Sequence, residues 1–173
     1  MQVVLEPLSK ITIDTYIFLG TKSYNEHYPH LWENGDTSPY INKSFTNKVV
    51  EKELEDTNIQ HFLVIVKATA IGIVKLIKNC PIDEFSGKES LLAEKIYLIK
   101  AYTGRGLGKK VLALIEVQAR KLNKRILWLD TMQKGNPVHF YLNNGFQIKK
   151  EGELSLKGAK TSEKAMWVLA KEL

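Results

Sequence analysis

Cysteine is nearly missing from this chain of 173 residues: Cys80 is the only one. A single thiol excludes an internal disulfide and a thiolate zinc cluster, and Cys80-Pro81 reads as a turn with an inert thiol rather than a nucleophile site. The histidines His27, His30 and His61 lack metal-ligand spacing, and His139 reads as a surface residue, so no metal is expected. No continuous apolar stretch follows a basic start in the first 30 residues, which carry Glu6 and Asp14. Neither a secretory signal nor a membrane span is indicated, and a cytoplasmic protein is expected. Internal repeats and low-complexity tracts are also lacking. The formal charge of +6 comes without a zinc-finger, RRM-type or helix-turn-helix pattern. Lys109, Lys110, Arg120, Lys121, Lys124 and Arg125 therefore read as a solvated helix face rather than a nucleic-acid surface. The length suits one domain over residues 1–173.

What is present alternates between strand and helix patterns. Residues 3–7 form a short strand closed by Pro7, and Ser9 can cap a helix running to about Tyr24. Residues 25–44, rich in aromatics, Pro, Gly, Asn and Asp, read as a loop with about one helical turn, and residues 44–56 favour helix. The β-branched runs 61–67 and 70–78 are separated by a tight turn and predict a hairpin. Residues 91–99 are a strand, 106–122 a helix with Leu107, Val111, Leu114, Ile115 and Leu122 at helical spacing, and 125–131 a strand. A helix over 136–143 carries Pro137 in its first turn, and strands over 146–151 and 164–171 close the chain. The fold class is α/β, with a mixed, mostly antiparallel sheet flanked by helices.

Between the strand at 91–99 and the helix after it lies Tyr102-Thr103-Gly104-Arg105-Gly106-Leu107-Gly108-Lys109-Lys110. Alternating glycines at a helix start let a phosphate approach unpaired N–H groups and the positive end of the helix dipole. A Walker A loop does not fit, because Thr103 stands where its first glycine belongs and Lys110 where its hydroxyl belongs. A dinucleotide fingerprint fails too, with Lys109 at its last glycine position. The segment instead resembles the acyl-CoA loop of the GNAT superfamily of N-acetyltransferases, Gln/Arg-x-x-Gly-x-Gly/Ala. Residues 94–98 resemble that family's fourth strand, residues 125–131 its fifth, and Phe140, Tyr141, Gly145 and Phe146 its Phe-Tyr-x-x-x-Gly-Phe signature. The likeness covers roughly residues 60–173. Thr103 departs from the usual Gln or Arg.

The resemblance implies a GNAT fold and an enzyme that moves acetyl from acetyl-CoA to a primary amine by direct attack in a ternary complex. It assigns the phosphates of acetyl-CoA to Thr103, Gly104, Arg105, Gly106, Leu107, Gly108 and Lys109, with Lys110 able to assist. Pantetheine and the thioester fall to Ile96, Tyr97 and Leu98, where a Leu98 backbone donor would stabilise oxyanion character. Asn136 is implied on the CoA arm, although many relatives carry that asparagine where this chain has Lys134. Tyr141 is implied as general acid to the leaving thiolate; the alternative is an aromatic packed in the core. Glu94, which interrupts an otherwise apolar strand, is the candidate base for the ammonium; the alternative is a surface glutamate paired with a lysine. Residues 89–97 and the following loop look most similar to bacterial polyamine (spermidine/spermine) N-acetyltransferases, which implies a small cationic acceptor. Glu26, Glu33 and Asp36 among Tyr24, Tyr28 and Trp32 are candidates to hold it by charge and cation–π contact; the alternative is ordinary loop residues. Acetylation of a protein or peptide amine, and a non-catalytic CoA-binding regulatory module, stay open. No nucleic-acid or membrane partner is expected, and a homodimer is an open option.

Overall fold

A computed structural model describes every residue of the chain, Met1–Leu173. Strands β1 (Val3–Pro7), β2 (Ile59–Val66), β3 (Thr69–Ile77), β4 (Ser90–Leu98), β5 (Ile126–Met132), β6 (Gln147–Glu153) and β7 (Ala165–Glu172) form one sheet in the order β1-β2-β3-β4-β5-β7-β6. Every neighbouring pair is antiparallel except β4 with β5. The expected mixed, mostly antiparallel sheet is what the chain forms. The β2–β3 hairpin turns through Lys67 and Ala68, with φ of 48° and 62°. Positive φ at both central residues is what a two-residue turn needs to match the twist of its strands.

Helices α1 (Ile13–His27), α2 (Ser38–Ser44) and α3 (Asn47–Glu55) precede the β2–β3 hairpin, while α4 (Leu107–Lys121) and α5 (Asn136–Leu142) flank β5 in sequence. One face of the sheet buries Val64, Leu91, Leu127 and Leu129 against Leu107, Val111, Leu112 and Ile115 of α4, with Phe140 and Tyr141 of α5 at its edge. The other face buries Leu63, Ile73 and Met132 against Tyr16 and Leu19 of α1 and Val50 of α3. Period-2 alternation in the strands and period-3.6 spacing in α4 produce this two-sided core.

Two expectations need correction. Residues 25–44 are more helical than a loop: α1 runs on to His27, short 3₁₀ turns occupy Pro29–Leu31 and Glu33–Gly35, and α2 follows. Pro29 and Pro39 sit in first turns, where their fixed φ suits a helix and their missing N–H costs nothing. Trp32 is fully buried and donates its Nε1–H to Tyr24 Oη at 3.1 Å. Lys124, grouped above with the solvated cations, is also buried, and its ammonium donates to Asn79 Oδ1, Gly87 O and Lys88 O at 2.7, 3.0 and 3.0 Å. Those acceptors come from a distant loop.

Gly72 of β3 pairs with Leu98 at the end of β4. A Cβ there would overlap the Tyr97 carbonyl oxygen and come within 2.7 Å of Leu98 Cδ2. Gly72→Ala is therefore expected to destabilise the fold by about 1–3 kcal/mol through overpacking, read as a lower melting temperature or denaturant midpoint.

Candidate active site

β4 and β5 separate soon after they meet. Their parallel pairing covers only Ser90↔Ile126, Leu91↔Leu127 and Leu92↔Trp128, whereas β3 accompanies β4 as far as Leu98. A bulge opposite Lys75 and Leu76 leaves Glu94 without a partner residue on β3; such bulges bend a strand and re-aim its side chains. The N–H of Ile99 donates to Ile71 O on β3 at 3.0 Å, so by alternation the N–H groups of Leu98 and Ile96 point the other way, into the gap beside β5. The end of β4 is held by α1 instead. Glu26 Oε2 accepts from the Lys100 N–H at 2.7 Å, and His27 Nε2 lies 3.0 Å from Leu98 O. A carbonyl can only accept, which fixes the proton on His27 Nε2.

Beyond β4 the chain turns through Gly104 and Gly106, with φ of 71° and 73°, into the first turn of α4. A Cβ at either would meet nothing within 4 Å. The glycines thus serve the left-handed backbone and an open approach rather than packing. The N–H groups of Gly104, Arg105 and Gly106 have no backbone acceptor, and those of the first helical turn are unpaired by geometry. Unpaired donors at the positive end of a helix are an arrangement that favours an anionic group such as a phosphate. Leu107 anchors the turn in the core, and Gly108 lies against the Phe140 ring of α5, 3.4 Å from an added Cβ. Exposed Arg105 lies over the Tyr102 ring at 5.5 Å, and Lys109 is exposed, whereas Lys110 Nζ is bound to Met1 O at 2.7 Å. The Thr103 hydroxyl donates to Lys100 O at 2.8 Å, so it braces the turn.

Where β4 and β5 part, a cavity of about 290 Å³ opens through the sheet. Ile96 and Tyr141 line it beside α4 and α5; Tyr28, Tyr40 and Tyr97 line it on the α1 side. Tyr141 is half-buried, its hydroxyl has no partner within the protein, and burial followed by the nearby Tyr28 raises its pKa well above the usual phenol value. Tyr40 and Tyr97 share a hydrogen bond of 2.6 Å, and Tyr24 stacks on Tyr40 at 3.9 Å. Glu94, Asp130 and Glu153 supply carboxylates, and Lys43 and Lys95 supply ammonium groups.

The Acetyltransferase (GNAT) domain family matches residues 58–148, more than half of the chain. The chain belongs to the GNAT acetyltransferase family. An uncharacterised N-acetyltransferase of the pepI 3′ region in Lactobacillus delbrueckii subsp. lactis is 26% identical over 111 residues, covering 64% of each chain. L-Ornithine N5-acetyltransferase NATA1 of Arabidopsis thaliana is 30% identical over 122 residues, 69% of this chain and 51% of that one. The match thus spans about two thirds and one half of these relatives' lengths. In three dimensions the chain is similar to the PaiA N-acetyltransferase of Thermoplasma acidophilum, solved with coenzyme A, with a TM-score of 0.76, 19% identity and full coverage of both chains. That likeness shows the shared GNAT fold.

Within this GNAT fold, Ile96, Tyr97 and Tyr141 share the wall of one cavity, while Leu98 and the glycine turn follow along the chain outside its lining. Asn136 does not join them on the cavity wall; it is exposed at the first position of α5, and Lys134 is engaged by Ser162 O and Glu163 at 2.7 and 2.9 Å. The acidic set proposed for an acceptor is also elsewhere. Glu26 is committed to Lys100, Asp36 accepts from the Ser38 N–H at 3.0 Å, exposed Glu33 is not on the cavity wall, and Trp32 points into the core. The carboxylates that do face the cavity include Asp130 and Glu153, which the sequence reading passed over. Asp130 carried the same signal as Glu94, a carboxylate interrupting an apolar strand.

Glu94 is exposed and paired with lysine, as the alternative reading expects, but with two of them. Its carboxylate meets Lys75 Nζ at 2.8 Å and the Lys95 ammonium beside it, and both lysines are buried. Burial alone would raise the Glu94 pKa, but Lys95 and Lys75 outweigh it and hold the carboxyl below its usual value. Lys75 also pairs with Glu53, and His61 Nε2 lies 3.1 Å from Glu53, within ion-pair reach but out of line for a hydrogen bond. His61 Nδ1 and the Tyr16 hydroxyl are 2.8 Å apart. Burial works against ionised Glu53 as well, yet His61 and Lys75 bring its pKa down to about 2. A folded-state pKa below the unfolded one stabilises at higher pH, so the contribution of Glu53 is complete above about pH 4.5 and is lost as pH falls toward 2. Glu53→Gln should remove that part of the acid limb in a stability-versus-pH curve. Lys75→Met, which leaves Glu94 with Lys95 alone and Glu53 with His61 alone, should cost about 1–3 kcal/mol at neutral pH in chemical denaturation.

Proposed function

We propose that this GNAT chain is an acetyltransferase that moves acetyl from acetyl-CoA to a primary amine by direct attack in a ternary complex. The observation that carries this reading is the opening between β4 and β5, with free strand N–H groups at Ile96 and Leu98 leading from the glycine turn to the unpartnered Tyr141 hydroxyl. Bound acetyl-CoA supplies the thioester, an acyl group with a good leaving group. The backbone of Gly104, Arg105, Gly106, Leu107, Gly108 and Lys109 holds the diphosphate, and Ile96, Tyr97 and Leu98 align the pantetheine arm along β4. The Leu98 N–H polarises the acyl oxygen. Tyr141 stays protonated at neutral pH because burial raises its pKa, and it donates its proton to the departing sulfur. Asn136 serves only the outer part of the CoA arm. Glu94, held between two lysines, faces the same cavity.

The acceptor is a small amine, because the cavity holds only about 290 Å³ and is walled by tyrosines, whose ring faces favour a cation. A polyamine is one such acceptor. An amino acid with a side-chain amine is a second, favoured by Lys43, the cavity cation with no carboxylate partner, which would receive an acceptor's carboxylate; the Arabidopsis relative is named for ornithine. Thiol release measured with acetyl-CoA over polyamines, diamino acids, aminoglycosides and lysine peptides tests the function and ranks these acceptors. Turnover confined to lysine peptides would remove the small-amine reading.

Two substitutions test the assigned parts. Acetyl-CoA at a hundred times its dissociation constant should stabilise the protein by about 2.7 kcal/mol. In a folded Gly106→Glu protein that thermal shift should vanish, because bulk and negative charge meet the diphosphate; a retained shift would exclude the site. Tyr141→Phe should lower kcat on the order of 10²-fold with acetyl-CoA binding largely kept. Unchanged kcat would reassign Tyr141 to packing.

A further inference from the structure

Two carboxylates reach the cavity from the two strands that part, and their surroundings are opposite. Glu94 on β4 is neutralised twice, by Lys75 at 2.8 Å and by adjacent Lys95. Asp130 on β5 makes no ion pair and no side-chain hydrogen bond, although it lines the same cavity and keeps access to solvent. Along β5, Leu127 and Leu129 are buried on the α4 face, so Asp130 shares the opposite face with Met132, on the side of Tyr97 and Tyr40. A substrate ammonium entering from that side meets a carboxylate that has no other proton or cation to hold.

We propose that Asp130, and not the doubly lysine-paired Glu94, attracts the substrate ammonium and accepts its proton. The assignment rests on the acetyl-transfer reading above. Asp130 takes one proton from R–NH3⁺, and the freed nitrogen lone pair forms the C–N bond as the C–S bond breaks. Tyr141 gives its proton to the sulfur and is reprotonated by the second proton shed from nitrogen. Asp130 then releases its proton to solvent, so the products are the amide, the thiol and one proton.

The groups around Asp130 are consistent with this division. Desolvation comes first and Glu94 second in raising the Asp130 pKa, against the opposing pull of Lys150 on β6, whose ammonium is tied to Asp83 at 2.6 Å. Lys43 of α2, Lys95 of β4 and Glu153 of β6 share the cavity, and Glu153 is paired with Lys164 at 2.8 Å. The Cys80 thiol, raised by burial and then by Glu94 and Asp130, stays neutral beside them. Where environments push the pKa values of two nearby carboxylates apart, the raised one suits proton uptake and the lowered one suits fixed charge.

The test combines a titration with kinetics. In 13C-carboxyl NMR of the full chain without acetyl-CoA, the resonance lost in Asp130→Asn should titrate above the ordinary aspartate value, and the one lost in Glu94→Gln below the ordinary glutamate value. In steady-state assays Asp130→Asn should lower kcat on the order of 10²-fold, with the remaining rate climbing toward the pKa of the free amine and the thermal shift by acetyl-CoA kept. Asp130→Glu should recover part of the rate, and Glu94→Gln should leave the base limb of the pH profile in place. An Asp130 that titrates at or below the ordinary value, or an Asp130→Asn protein with wild-type kcat and pH profile, overturns the assignment while leaving acetyl transfer intact. Absence of thiol release from the wild-type protein with every amine overturns the transfer reading and this assignment together.

Discussion

Parallel pairing between β4 and β5 lasts three residues, and past Leu92 each strand has to satisfy its backbone elsewhere. β5 does so on one side only, against β7 from Ile126 to Met132. β4 does so against β3 and through the two side chains at the end of α1, Glu26 and His27. A buried strand edge without partners would cost about 1–3 kcal/mol for each orphaned group. Here the edge borders an open cleft, so water or a ligand's amides can satisfy it. The same separation puts the glycine turn and Tyr141 on one side of the sheet and the tyrosine-lined entrance on the other, with a passage between them. In open α/β sheets ligands bind beyond the carboxyl ends of parallel strands for the same geometric reason.

Behind that passage lies a cost the fold has to meet. Lys75 and Lys95 are buried ammonium groups, which would not stay charged in an apolar surrounding without partners. Glu53 and Glu94 balance them, and His61 and Tyr16 extend the chain of contacts inward to α1. Such a network is weak evidence for stability, since well-packed apolar residues often do as well. Its consequence for the site is clearer. It commits the Glu94 carboxylate to two cations and leaves Asp130, on the facing strand, uncommitted.

Much of this architecture was legible in the residues. The strands fell within one or two positions of their observed bounds because β-branched runs and period-2 alternation are local signals, and α4 followed from apolar residues at helical spacing. The cofactor side was legible too, since left-handed turns at a helix start are written as glycines. The acceptor side was not. Tyr24 stacks on Tyr40 and Trp32 bonds back to Tyr24, contacts that only the folded chain brings together, and they turn a segment of loop-like composition into helical turns. Closeness in sequence likewise misplaced Glu26, Glu33 and Asp36, because Glu26 sits in the last turn of α1 while Glu33 and Asp36 lie on a separate short turn. Lys124 was misread for a related reason: its three acceptors lie 36 to 45 residues away.

Charge acts on two scales here. The excess of +6 is spread over surface lysines and arginines, and at physiological salt such a field fades within about 8 Å. It guides the anionic cosubstrate toward the molecule better than it selects an amine. Selection falls to the cavity, where most formal charges cancel locally: Lys95 with Glu94, and Lys164 with Glu153. The tyrosines add none, for burial first and Tyr40–Tyr28 proximity second keep Tyr28 near 12 and protonated at neutral pH. What is left uncancelled on the wall is one carboxylate, Asp130, and one ammonium, Lys43. On the proposed acetyl-transfer reading, a polycation would satisfy the first only by crowding the second, while a zwitterionic amine would satisfy both, which makes this pair rather than the total the charge to vary in testing acceptor choice.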